Sequence, residues 1–190
     1  MIFKAIKFAA DAHTGQFRKG TKIPYISHPI NVMKILCEYD CSQDVIIAGI
    51  LHDTVEDTSV TIEHIEEVFG KNVSDIVRGA SEPEKLKKDP QTNVSWKERK
   101  QHTIDFIKKD ATLEQLLVSC ADKLDNSHAI LDDFNKLGDK LWKRFNAGKD
   151  EQKWYYSELS KAFRKQGKKF GDALSSIANQ LSITVKKIFK

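Results

Sequence analysis

In the stretch LHDTVEDT (residues 51–58), His52 and Asp53 stand side by side, and two more carboxylates, Glu56 and Asp57, follow about one helical turn later. If the helix continues or tightens there, an offset of three or four residues sets His52 facing Glu56, and Asp53 near both Glu56 and Asp57. The residues before this cluster are apolar on all sides, so it forms the polar end of a buried helix. An imidazole and a carboxylate are costly to bury unpaired there, and a divalent cation satisfies both. The bland alternative is an interior His–Asp hydrogen bond. Two further residues favour the cation. His28 lies between Ser27 and Pro29 at a helix start, and Asp122 in VSCADKLDN follows Leu116, Leu117 and Val118, which would bury it. Two His and two Asp make a mixed nitrogen and oxygen donor set, suited to a first-row divalent ion with positions left for water. Such a site acidifies water and polarises a phosphoryl oxygen.

The elements that must position these groups read as helices. Apolar residues recur at helical spacing over 2–14 and 29–39, and FRKGTKIPYISHP between them, with Gly20, Pro24 and Pro29, reads as a loop or short extended piece. Ser42 is the expected N-cap of DVIIAGILHD (44–53). Thr61 opens a short helix that Gly70 stops, 72–79 gives another, and Ser95 with Glu98 makes a capping-box pattern before 96–109. Residues 81–93 lack an apolar period and read as a solvated connection rather than a lid. A long helix is expected over 112–137, closed by Gly138, with further helices at 139–146, 150–165 and 170–188. No convincing strand pattern occurs, so the fold class is all-α, a single-domain multi-helix bundle.

A chain of 190 residues suits one domain, here 1–138 as a core with 139–190 as basic helices packed on it. Composition excludes disordered and collagen-like chains. No run is apolar and long enough to cross a membrane, and Lys4, Lys7 and Asp11 interrupt the N-terminal segment where a signal peptide would be continuous, so a cytoplasmic location is expected. Three cysteines are too few for a disulfide framework and fit a reducing compartment. Cys37 and Cys41, on one helix face, lack the second pair of a thiolate zinc site and are expected in packing. His13, His64 and His102 fit no ligand pattern and are expected on helix surfaces. Residues 139–190 carry 13 Lys and Arg against 5 Asp and Glu, whereas residues 1–138 carry 18 against 22. The basic end either attracts nucleic acid or a phosphorylated ligand, or is an amphipathic helix with a solvated Lys face. Phe163, Phe170, Leu174, Ile177 and Leu181 recur at helical intervals and favour the second reading.

Taken together, AADAHTGQFRKG (9–20), PYISHPINV (24–32), GILHDTVEDT (49–58), FGKNVSDIVRGASEP (69–83) and CADKLDN (120–126) resemble the HD-domain metal-dependent phosphohydrolases, in particular the hydrolase domain of RelA/SpoT-type alarmone enzymes and their small stand-alone forms. The resemblance implies manganese-dependent hydrolysis of the 3′-pyrophosphate of guanosine tetra- and pentaphosphate (ppGpp and pppGpp). It implies that His28, His52, Asp53 and Asp122 bind one divalent ion, Mn2+, and that Glu56 and Asp57 orient and deprotonate the attacking water. Arg18 and Lys19 would lie against the nucleotide base, and Asn126 would contact the nucleotide.

The chain departs from the family's pattern in two places. GTKI between Lys19 and Pro24 is one residue longer than usual, and where the family commonly carries an Arg two residues after Asn126, this chain reads Ser127, His128, Ala129. His128 is either a substitute cation or a helix-surface residue. No nucleotide-synthesising domain follows in this sequence, so hydrolysis alone is expected. Another nucleotide as substrate is the alternative enzymatic reading, because the HD residues fit both. A nucleic-acid-binding protein acting through its basic end is a third and weaker one. The sequence leaves a homo-oligomer open.

Overall fold

The computed structural model describes residues 1–86 and 94–190, apart from the side chains of residues 84 and 85. In chain order the helices are α1 (Ile2–Ala12), α2 (Ser27–Glu38), α3 (Gln43–Leu51), α4 (Thr54–Asp57), α5 (Ile62–Phe69), α6 (Lys71–Ala80), α7 (Pro83–Leu86), α8 (Trp96–Lys109), α9 (Leu113–Leu137), the 3-10 helix Gly138–Arg144, α10 (Lys149–Phe170) and α11 (Asp172–Ile188). The described residues contain no strand, and the fold is all-α. A single antiparallel bridge, Phe17 with Pro24, pinches the loop between α1 and α2.

Local chemistry sets the helix starts. Ser42, Thr61 and Ser95 each accept a backbone N–H at the mouth of α3, α5 and α8, and Ser95 with Glu98 closes a full capping box. Thr112 and Gln115 form a second box that begins α9. α3 is buried from Val45 to Leu51 and packs on α1, α2, α6 and α9. α9 packs on α2, α3, α6 and α11.

Several expectations need correcting. The helix expected over 44–53 stops at Leu51, and His52 and Asp53 form a turn before α4. Residues 83–86 form one helical turn rather than loop, started by Pro83, whose missing N–H costs nothing at a first helical position; residues 87–93 of the expected connection lie outside the described residues. The helix expected at 139–146 is a 3-10 turn. The break expected between 165 and 170 is absent, because α10 runs to Phe170 and Gly171 (φ 111°) turns the chain. Gln166 inside that span is buried and donates to the carbonyls of Ile107 (2.7 Å) and Lys108 (2.9 Å), which α8 leaves unpaired at its end. Cys37 and Cys41 do not share a helix face: α2 ends at Glu38, the chain turns through Asp40 (φ 51°), and Cys37 is exposed while Cys41 packs against the core.

The basic C-terminal segment is amphipathic. Phe163, Leu174, Ile177 and Leu181 are buried, and Lys161, Arg164, Lys165, Lys168, Lys169, Lys186 and Lys187 face outward. No helix of the described residues is long and apolar enough to cross a membrane. α10 and α11 approach closely at Gly167, where a Cβ would lie 2.8 Å from Ser175 Cα. Gly167→Ala would gain about 0.5–1 kcal/mol of helix propensity but must push α10 and α11 apart at a cost of about 1–3 kcal/mol. The expected result is a lower urea midpoint; a higher one would show that the helices separate freely.

Candidate metal centre

His28 lies in the first turn of α2, His52 and Asp53 in the turn after α3, and Asp122 in mid-α9. The packing of α3 on α2 and α9 brings these three segments, far apart in sequence, to one point. His28, His52 and Asp53 each offer a ligand atom, all within 4.8 Å of one another. Asp122 stands beside this cluster, its Oδ1 3.2 Å from His28 Nε2 and 3.7 Å from His52 Nε2. Asp53 closes the ring, with Oδ2 3.4 Å from His28 Nε2 and Oδ1 3.3 Å from His52 Nε2.

The hydrogen bonds on the far side of each ring set its tautomer. Gly49 O accepts from His52 Nδ1 at 2.8 Å, and since a carbonyl cannot donate, Nδ1 must carry the proton. Asp125 Oδ2 takes the same role for His28 Nδ1 at 2.6 Å. In the neutral rings, both Nε2 lone pairs therefore point at carboxylate oxygens. Both Nε2 atoms are buried and make no hydrogen bond. Lone pairs facing anions repel unless a proton or a cation stands between them, and this donor set fits a divalent metal ion.

The ionisation of the cluster carries the same demand. Burial alone would lower His52, but Asp53, Asp122 and the Gly49 carbonyl outweigh it and push the imidazole up to about 9. His28 is likewise raised against its burial by Asp122, Asp125 and Asp53. Asp53 and Asp122 resist the burial that would neutralise them and are held below the usual carboxylate range, Asp53 chiefly by His52 and His28, Asp122 first by Lys123 and then by the two imidazoles. Lys123 Nζ donates to Asp122 Oδ2 at 2.6 Å, and Asn126 Nδ2 donates to Asp122 Oδ1.

Glu56 and Asp57 line a cavity of about 710 Å³ that also contains His52, Asp53 and Asp122. Glu56 Oε1 accepts from the backbone N–H of Glu82 at 2.7 Å, which ties α4 to the start of α7. Across His52 (φ −54°, ψ −39°) and Asp53 (φ −85°, ψ −12°) the backbone stays right-handed helical, and the Asp57 N–H donates to the Asp53 carbonyl at 3.0 Å, so the helical path carries on through the turn into α4. A second cavity of similar size is lined by Arg18, Lys19 and Asn126. Tyr25 and Asn126 line both. Arg18 Nη2 donates to Asn126 Oδ1 at 2.7 Å, and its guanidinium lies 5.6 Å from the centre of the Tyr25 ring.

Three residues at the centre were not expected from sequence. Tyr25 donates to Asp53 Oδ2 at 2.6 Å and stands 3.2 Å from Asp57 Oδ2; burial and then Asp53 raise the phenol, which stays protonated as a donor. Asp125 and Lys123 are the others. Asp125, three residues after Asp122 on a helix, could have been found from that spacing; nothing local to Tyr25 announces it. His13 is the clearest correction: it is 3% exposed, not on the surface, because its ring stacks on Tyr25 at 4.7 Å and Nδ1 bonds Gln16 Oε1. His64, His102 and His128 are exposed, His102 and His128 at the rims of the two cavities.

A helical bundle closed around a buried His and Asp cluster defines a class that the comparisons name. Residues 5–151 match the family described as HD domain, and the chain belongs to it. SpoT of Escherichia coli, named as a bifunctional (p)ppGpp synthase/hydrolase, is 43% identical over 84 residues, 44% of this chain and 12% of that protein. A Haemophilus influenzae protein named guanosine-3′,5′-bis(diphosphate) 3′-pyrophosphohydrolase is 44% identical over 79 residues, 42% of this chain. This chain thus spans only 12% of the length of each. Among solved structures, lmo0812 from Listeria monocytogenes superposes with a TM-score of 0.74 at 34% identity, covering 90% of this chain and all of that one. A metazoan ortholog of SpoT, described as hydrolysing ppGpp, superposes with a TM-score of 0.68 at 28% identity over 99% of this chain and 93% of that one.

With the metal-free His52 raised to about 9, the folded state favours the charged ring: that stabilisation is full below about pH 6.5 and is lost as pH rises through about 9. Loading an ion at pH 7 must therefore expel a proton. Calorimetric titration in buffers of different ionisation enthalpy is expected to show one ion bound with proton release, and His52→Ala to lose both; binding without proton release would place the ion elsewhere.

Proposed function

We propose that the chain hydrolyses ppGpp and pppGpp, releasing the 3′-pyrophosphate and leaving GDP or GTP. The observation that carries this reading is the pair of buried imidazole nitrogens aimed at Asp53 and Asp122, with Glu56 and Asp57 along one adjoining cavity and Arg18 with Asn126 along the other. The names of the bacterial relatives and the activity described for the metazoan structure support it. His28, His52, Asp53 and Asp122 would hold one divalent ion, manganese in our reading, which when bound polarises a phosphoryl oxygen and acidifies water.

The remaining work falls to the chain's own groups. Glu56 and Asp57 take the proton of the attacking water, and Tyr25, donating to Asp53 and standing within reach of Asp57, fixes the angle between ligand and base. Asn126 holds Arg18, whose flat guanidinium stacks on the purine. The water oxygen bonds to the phosphorus on the 3′ oxygen, that P–O bond breaks, and the 3′ oxygen takes up a proton, so pyrophosphate and a 3′-hydroxyl result. Residues 1–190 act here as one HD-type unit, residues 139–190 packing on 1–138 through α11 against α9. A cytoplasmic setting accords with the free thiols Cys37, Cys41 and Cys120.

The test is a panel of nucleotides incubated with the manganese-loaded protein, products separated by chromatography. Guanosine tetraphosphate is expected to give GDP and pyrophosphate, with GTP and nucleoside monophosphates poor substrates; faster cleavage of either would overturn the assignment in favour of another nucleotide. Glu56→Gln and Asp57→Asn are expected to keep the metal while turnover falls by about 10²- to 10⁴-fold. Unchanged turnover in both would remove these carboxylates from proton transfer.

A further inference from the structure

Arg144 ends the 3-10 helix, well beyond the motifs that carry the family resemblance, and its side chain lines the cavity of Arg18 and Lys19. Its stem lies flat on Gly20. A Cβ at that position would sit 2.8 Å from Arg144 Cδ and 2.9 Å from Nε, so a side chain there would displace the Arg144 stem, and the φ of 72° favours glycine. The loop carrying Arg18 and Lys19 thus lies against the Arg144 side chain. The two residues after Arg144 hold Lys19: its Nζ lies 6.0 Å from the centre of the Phe145 ring and 3.4 Å from Asn146 Oδ1.

Asp133 Oδ2 accepts from Arg144 Nη1 at 2.9 Å, which fixes the guanidinium and leaves most of its five donors for a ligand. After Asn126, α9 supplies no arginine. Ser127 is fully buried with its hydroxyl on the Leu124 carbonyl, and His128 is exposed. The arginine of this cavity comes from the 3-10 helix, and Lys34 of α2 and Lys136 of α9 also line it. Arg18, Lys19 and Arg144 all line the second cavity, and of the three Arg18 is linked to the metal centre, through Asn126, which donates to Asp122. Glu38, Asp132 and Asp133 also line that cavity, so an anion can be held only where the cations face it.

We propose that Lys19 and Arg144 form a phosphate subsite that binds the 5′-diphosphate of the nucleotide. The proposal rests on the reading that the centre takes the 3′-pyrophosphate, since the 5′-phosphates are then the remaining anionic group of the substrate. A planar guanidinium donates two parallel bonds to phosphate oxygens, which an ammonium cannot do.

The experiment compares the wild type with Arg144→Met, which keeps the stem on Gly20 and removes the cation, and with Arg144→Lys. Hydrolysis is measured on guanosine 5′-diphosphate 3′-diphosphate and on guanosine 3′-diphosphate, and binding of GDP and of guanosine to the metal-free protein by calorimetry. Arg144→Met is expected to lose about 10- to 100-fold more kcat/KM on the 5′-phosphorylated substrate than on the other, to bind GDP correspondingly more weakly, and to be partly rescued by Lys. Equal losses on both substrates with unaltered GDP binding would overturn the subsite and leave Arg144 a support of the loop. Should the wild type release pyrophosphate from neither substrate while GDP binding still depends on Arg144, the subsite stands and the assigned reaction falls.

Discussion

Two neutral imidazoles cannot rest with their Nε2 lone pairs against Asp53 and Asp122 in a buried site, and the rest of the structure is arranged around that conflict. The Gly49 carbonyl and Asp125 lock both rings in the tautomer that creates it. Lys123 and Asn126 hold Asp122 in place, and Tyr25 holds Asp53. Every one of these contacts would be poorer design for a dry, self-contained core than apolar packing, because a buried charge cluster costs more than it returns unless something completes it. A cation completes it.

The two cavities meet at Tyr25 and Asn126, which gives one set of groups influence over both. Tyr25 touches a candidate ligand with its hydroxyl, approaches Asp57 with the same atom, and offers its ring to both Arg18 and His13. Asn126 receives Arg18 and donates to Asp122. Groups that would bind a nucleotide are thereby coupled to groups that would bind the ion through single side chains, so placement of one end of a ligand constrains the other.

The C-terminal segment shows how net charge can mislead. Its excess of Lys and Arg lies largely on the outward face of α10 and α11, while the residues that matter most for shape are apolar or small: Leu174, Ile177 and Leu181 in the core, and Gly167 where the two helices nearly touch. Arg144, which lines the second cavity, comes from the 3-10 turn that precedes them.

Local chemistry written into the sequence determined most of the helices, their caps at Ser42, Thr61 and Ser95, and the polar helix end at His52 and Asp53, because 3.6-residue periodicity, capping and an apolar helix ending in charge are all short-range signals, whereas the meeting of His28 and Asp122 with that end depends on how α2, α3 and α9 pack. Only the tertiary structure decided what those signals could not reach. Tyr25 lies 28 residues before Asp53, and Arg144 more than a hundred after Gly20, and no spacing rule links either pair; the crossing of α2, α3 and α9 and the seating of the 3-10 turn on the α1–α2 loop bring them together. His13, polar and beside a helix end, read as surface for the same reason: its burial depends on a ring twelve residues away that stacks on it only once the loop is folded back.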